Sequence, residues 1–128
     1  MATKNELVIF TATFDLLTWL LPQAERFPKN QRFVVTQRLV GAALDLQEAL
    51  FDANAASGAL RAQVLAQADA RLDRVRLYLR LAHRWQWLGD GAYEHVSRMV
   101  ATIGKLLGGW RKQTQRSMPG DGPVSAGS

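Results

Sequence analysis

Apolar side chains recur three and four residues apart along almost the whole chain, and no run alternates at the period of two that a half-buried strand requires. β-Branched clusters are few, so the pattern restricts the chain to an all-α fold. The most constraining segment runs from about Leu60 to Leu88. At about 100° per residue, Leu72, Val75, Leu79 and Ala82 share one stripe of this helix, while Leu77, Leu81, Trp85 and Leu88 lie nearly opposite. A bundle helix needs only one apolar stripe for its own core. The opposite one calls for a second partner and predicts an oligomer interface at Leu77, Leu81, Trp85 and Leu88.

Punctuation along the chain divides it into four helices. The first is predicted to start near Thr3, whose hydroxyl can cap while Glu6 reaches back, and to carry Phe10, Phe14, Leu17 and Leu21. Pro22 removes a backbone donor and predicts a kink. Pro28, within RFPKNQR, suits the first turn of a second helix that carries Phe33, Val40, Leu44 and Phe51 inward. NAASG, Asn54 to Gly58, ends that helix, the third follows to Leu88, and GDG at Gly89 to Gly91 makes the next turn. The fourth spans about Tyr93 to Gln115. Short connections join antiparallel neighbours, so residues 1–116 are expected to form an antiparallel four-helix bundle. SMPGDGPVSAGS carries almost no apolar side chains, which predicts a disordered Gly/Pro/Ser tail over residues 117–128.

Composition bounds the function. A chain of 128 residues with 48% apolar content suffices for one core. It has no cysteine, which excludes disulfides and thiolate chemistry and favours a reducing cytoplasm. The longest apolar run, around Leu16 to Leu21, is too short to span a bilayer, and no basic region with a cleavage site opens the chain; a soluble cytoplasmic protein without membrane association is expected. Lys+Arg exceeds Asp+Glu by 16 to 11, and the pI is about 10.2. The surplus is mostly arginine, whose planar fork grips phosphate better than lysine's point charge, so a polyanionic partner is favoured.

The segment RVRLYLRLAHRW, Arg74 to Trp85, concentrates that charge. Arg76, Arg80 and Arg84 recur every four residues on a ribbon that Asp69 and Asp73 share one turn earlier. They can pair with those acids and lay their stems over apolar surface, or present phosphate-binding forks beside an interface. On the fourth helix, Val96, Met99, Val100, Ile103, Leu106, Leu107 and Trp110 form a core arc, and Ser97, Ala101, Gly104 and Gly108 a strip of small residues beside it. Each mid-helix glycine costs about 1 kcal/mol against alanine, which suggests that another backbone approaches closely. Arg98, Lys105 and Lys112 recur every seven residues on a further face, either solvated or a rail for nucleic acid. His83 and His95 lie on different helices with no Glu-x-x-His pair, and no nucleophile motif or phosphate-cradling glycine loop is present. No catalytic, metal or cofactor site is therefore expected. Trp85, Trp87 and Trp110 can stack on bases or anchor a core.

Three blocks together carry a family resemblance: RFPKNQRFVVTQRL at Arg26 to Leu39, RLDRVRLYLRLA at Arg71 to Ala82, and IGKLLGGWRK at Ile103 to Lys112. In order and spacing they resemble the accessory variability determinant (Avd) of diversity-generating retroelements. That family lies within the bacterial four-helix bundles related to 23S rRNA intervening-sequence proteins. The resemblance implies a non-enzymatic bundle that assembles into a ring-like pentameric barrel and binds the element's reverse transcriptase and its template RNA or cDNA. Such a protein supports mutagenic reverse transcription and retrohoming. Arg76 and Arg80 match the family's paired arginines implicated in polymerase binding. Arg74, Arg84, Arg98, Lys105 and Lys112, with Arg26, Lys29 and Arg32 of the turn, complete the candidate polymerase and nucleic-acid contacts. A homo-oligomeric bundle of the intervening-sequence type, with another nucleic-acid or protein partner, is the competing reading.

Overall fold

A computed structural model describes residues 4–118. Four α-helices make up most of them: α1 (Lys4–Glu25), α2 (Gln37–Ala55), α3 (Gly58–Arg84) and α4 (Asp90–Arg116). Each packs on its chain neighbours, and α1 closes the circle against α4. Side-chain pairs give the directions. Phe10, early in α1, stacks on Phe51, late in α2, at 5.3 Å and meets Trp110, late in α4, edge-on at 6.2 Å. Farther along α1, Trp19 lies 5.5 Å from His95, early in α4. Arg61, early in α3, donates to the carbonyls of Ala53 (2.9 Å) and Asn54 (3.4 Å) at the end of α2, supplying partners that the last turn lacks. His83 and Asp90 join the end of α3 to the start of α4. The bundle is therefore antiparallel, up-down-up-down.

The core follows a strict alternation of three and four residues. In α3 it takes Leu65, Ala68, Leu72, Val75, Leu79 and Ala82; in α4, Val96, Val100, Ile103, Leu107, Trp110 and Thr114. That spacing keeps one seam of each helix inward. In α2 the inward stripe is Leu39, Ala42, Ala43, Leu46, Leu50 and Ala53. Its alanines let α2 lie close against α3.

This α2 stripe corrects the one expected from the large side chains. Phe33 is 76% exposed, Phe51 and Leu44 are also exposed, and Val40 is half-buried. The bulky residues mark a helical stripe that is offset from the buried one, and close helix contact selects the smaller. In α1 likewise, Phe14 is exposed, while Ile9, Thr13, Leu16, Leu17, Leu20 and Ala24 face the core. Thr13 can be buried because its hydroxyl donates to the Ile9 carbonyl at 2.8 Å. Pro22 stands on the exposed side within α1 and does not end it. The segment Leu7–Glu25, at mean hydropathy 1.4, is long and apolar enough to cross a membrane by length and composition. The shorter run Leu16 to Leu21 understated this, because the apolar positions extend over both sides of the helix.

The second helix also starts later than expected. Pro28 has an extended ψ of 133° and precedes a 3-10 turn, Lys29–Gln31; a π-helical turn, Arg32–Thr36, then leads into α2. At the same end of the molecule, where Trp87 packs on Phe27, α3 stops at Arg84 rather than Leu88. Gln86 takes φ 61°, and the Trp87 and Leu88 amides both donate to the Ala82 carbonyl, at 2.8 and 3.2 Å. The chain thereby folds back and drives Leu88 into the core. Thr3, with the capping box to Glu6, and residues 119–128 of the expected tail lie outside the described residues.

Candidate nucleic-acid interface

The arginines of α3 divide between its two flanks. Arg76 Nη1 donates to Asp73 Oδ1 at 2.9 Å. Its other nitrogen, Nη2, lies over α4, where a Cβ placed on Gly104 would come within 2.5 Å of it. The small-residue strip therefore admits a guanidinium, not the backbone expected there; nothing lies within 4 Å of a Cβ at Gly108. Arg76 and Arg80 line a groove of about 250 Å³ with Leu79, Tyr93, Ser97, Val100 and Ala101. Asp69 is not available to the ribbon, because Arg111 of α4 donates to it at 3.1 Å. Arg74, Arg80 and Arg84 are exposed and make no ion pair among the described residues. One arginine of the ribbon is thus tethered, and two are free.

The remaining candidate cations lie elsewhere. Arg98 pairs with Glu94 at 3.1 Å on the exposed side of α4, whereas Lys105 and Lys112 are exposed and unpaired among the described residues. Arg26, Lys29 and Arg32 are exposed around the turn after α1, and Lys29 and Arg32 border a second groove, of about 510 Å³, with Phe27, Pro28 and Val40. These three are separated from the α3–α4 groove and do not join it.

Of the proposed interface stripe, Leu77 and Trp85 are 50% and 54% exposed, Leu81 is half-buried, and Leu88 is only 2% exposed. The early end of α3 removes Leu88 from the stripe. Trp110 belongs to the core, with Arg61 above its ring at 5.8 Å, and Trp87 packs on Phe27 at 5.6 Å. Trp85 is the tryptophan with an accessible face. His83 stacks on Tyr93 at 4.2 Å while contacting Asp90, so it ties two helix ends together. Among the described residues no three His, Asp or Glu side chains gather as a metal site would need.

The bAvd-like family profile matches residues 7–114, spanning all four helices and the turns between them. The chain belongs to the bAvd-like family. This is a family of Avd-type accessory proteins. The bAvd-like chain is also similar in fold to the crystal structure of a protein of unknown function from the S23 ribosomal protein family of Bacteroides thetaiotaomicron VPI-5482. The TM-score is 0.76 at 16% identity, covering 84% of this chain and 98% of that one. No curated protein matches the chain. Two cationic members of the chain's surface, Arg38 and Arg71, were not singled out by spacing, because they come together only when α2 meets α3.

Proposed function

We propose that this bAvd-like protein is a non-enzymatic accessory protein of a diversity-generating retroelement, binding the element's reverse transcriptase and template RNA through basic surface. The family match across residues 7–114 carries this reading. The free forks of Arg80 and Arg84, and the Arg76 guanidinium held over Gly104, support it on chemical grounds. The protomer works as part of a ring-like homo-oligomer, for which the exposed apolar side chains Leu77 and Trp85 are suited.

The test is the double variant Arg76→Ala/Arg80→Ala. An exposed pair such as Arg76–Asp73 is worth under about 1 kcal/mol, so melting and oligomeric state should be nearly unchanged. Capture of the reverse transcriptase should collapse. Changing both residues to Lys should restore only part of it, since lysine keeps the cation and loses the fork. If the alanine variant captures the polymerase normally, the α3 arginines do not serve it. If it unfolds or dissociates, they are structural.

A further inference from the structure

The opposite flank of α3 carries a further cationic groove. Arg38, Gly41, Ala42 and Asp45 of α2 and Arg71, Arg74 and Tyr78 of α3 enclose about 390 Å³ open to the surface. Arg38 and Arg74 are exposed, Arg71 and Tyr78 half-buried, so the stems are supported while the charged heads remain reachable. Among the described residues none of the three arginines forms an ion pair, although Asp45 lines the same groove. The floor at α2 is bare, since a Cβ at Gly41 would meet nothing within 4 Å. Gly104 on the other flank differs, because there a guanidinium already lies across the glycine.

We propose that this α2–α3 groove, lined by Arg38, Arg71 and Arg74 over Gly41, binds a single backbone phosphate of the RNA strand. Three like charges gathered without internal partners favour an anion, and planar forks match the paired oxygens of a phosphodiester. Asp45 offsets one of the three cations, leaving a groove suited to a singly charged phosphodiester and poorly suited to a triphosphate. Tyr78 closes one end with a ring and a hydroxyl, groups that contact a nucleotide's base or sugar. The inference rests on the reading of this chain as an RNA binder. It adds a site separate from Arg76 and Arg80.

Gly41→Leu separates this groove from general attraction by basic surface, because it fills the space and leaves every charge in place. It also removes a glycine from α2, so the melting temperature should hold or rise. With a labelled single-stranded RNA oligomer and the full chain, Gly41→Leu should bind about tenfold more weakly, the cost of losing one charge-assisted contact. The slope of log K against log salt should become shallower by about 0.7 for one released phosphate. Arg38→Gln/Arg71→Gln should reproduce both changes, and it provides the reading if Gly41→Leu fails to fold. Excess ATP should not displace the RNA.

Wild-type affinity and slope in both variants would overturn the groove assignment while leaving RNA binding intact. Loss of reverse transcriptase capture with unchanged RNA binding would make the groove a protein contact and overturn it too, as would stoichiometric displacement by ATP. If the wild-type chain binds no RNA even at low salt, the RNA-binding part of the functional reading fails, and the groove assignment fails with it.

Discussion

A methyl group added at Gly104 would come within 2.5 Å of Arg76 Nη2, but the atom it meets is the far end of a flexible side chain. The helix can therefore accept Gly104→Ala, gaining about 1 kcal/mol of helix propensity, while the guanidinium swings away. We expect the melting temperature of this variant to hold or rise and polymerase capture to fall, measured side by side. Unchanged capture would mean that the position of Arg76 over α4 is immaterial. The residue pattern pointed to a close neighbour along this glycine strip; one lies at Gly104 and none at Gly108, and the pattern did not disclose what the neighbour is. A backbone and a guanidinium both demand a missing side chain, and only the packing of α3 on α4 distinguishes them. The acid partners show the same limit: Asp73 is found where its spacing from Arg76 puts it, whereas Asp69 is taken by Arg111, 42 residues away in sequence.

Among the elements, the turn after α3 departs furthest from helical expectation. Gln86 adopts φ 61°, a region costly for most side chains, and its amide donates to the His83 carbonyl at 3.0 Å. Gln86→Gly should change stability by less than about 1 kcal/mol in either direction, as relief of the backbone offsets the lost bond and added chain entropy. Gln86→Val should destabilise by more than about 1 kcal/mol, because a β-branched residue fits that conformation worst. Denaturant unfolding of both variants checks this, and equal stabilities would refute it. Helix number, helix type and the core stripes of α3 and α4 were legible because alternating steps of three and four survive in any apolar alphabet. The inward faces of α1 and α2 were legible only in part: Leu17 is buried and Phe10, Leu21 and Val40 pack against the core, but the other large side chains misled. Phe14, Phe33 and Phe51 outweigh Thr13, Ala42 and Ala53 in hydrophobicity, yet the small residues permit close packing and the hydroxyl of Thr13 satisfies itself on its own helix. The four-residue excursion from Trp85 to Leu88 was hidden for another reason: its apolar residues continue the helical period after the helix has ended.

At the scale of the whole molecule, Phe14, Phe33, Phe51, Leu77 and Trp85 leave more apolar surface exposed than the bundle itself can cover. Leu77→Asp tests whether another protomer covers part of it. Because Leu77 is half-exposed in the single chain, the substitution should leave the helical content intact while placing a charge in the proposed interface. Light scattering at roughly tens of micromolar should then show a lower mass than wild type, concentration being part of the equilibrium. A wild type that is already monomeric there would refute self-association. The two flanks of α3 bear on how such an assembly is loaded. An α-helix with its side chains is about 10–12 Å across, and α3 stands as a partition between the Arg38–Arg71–Arg74 groove on one side and the Arg76–Arg80 groove on the other. The two compartments have separate entrances, so under the two proposals made for them an RNA strand and a protein partner would lie back to back on one protomer, neither obstructing the other.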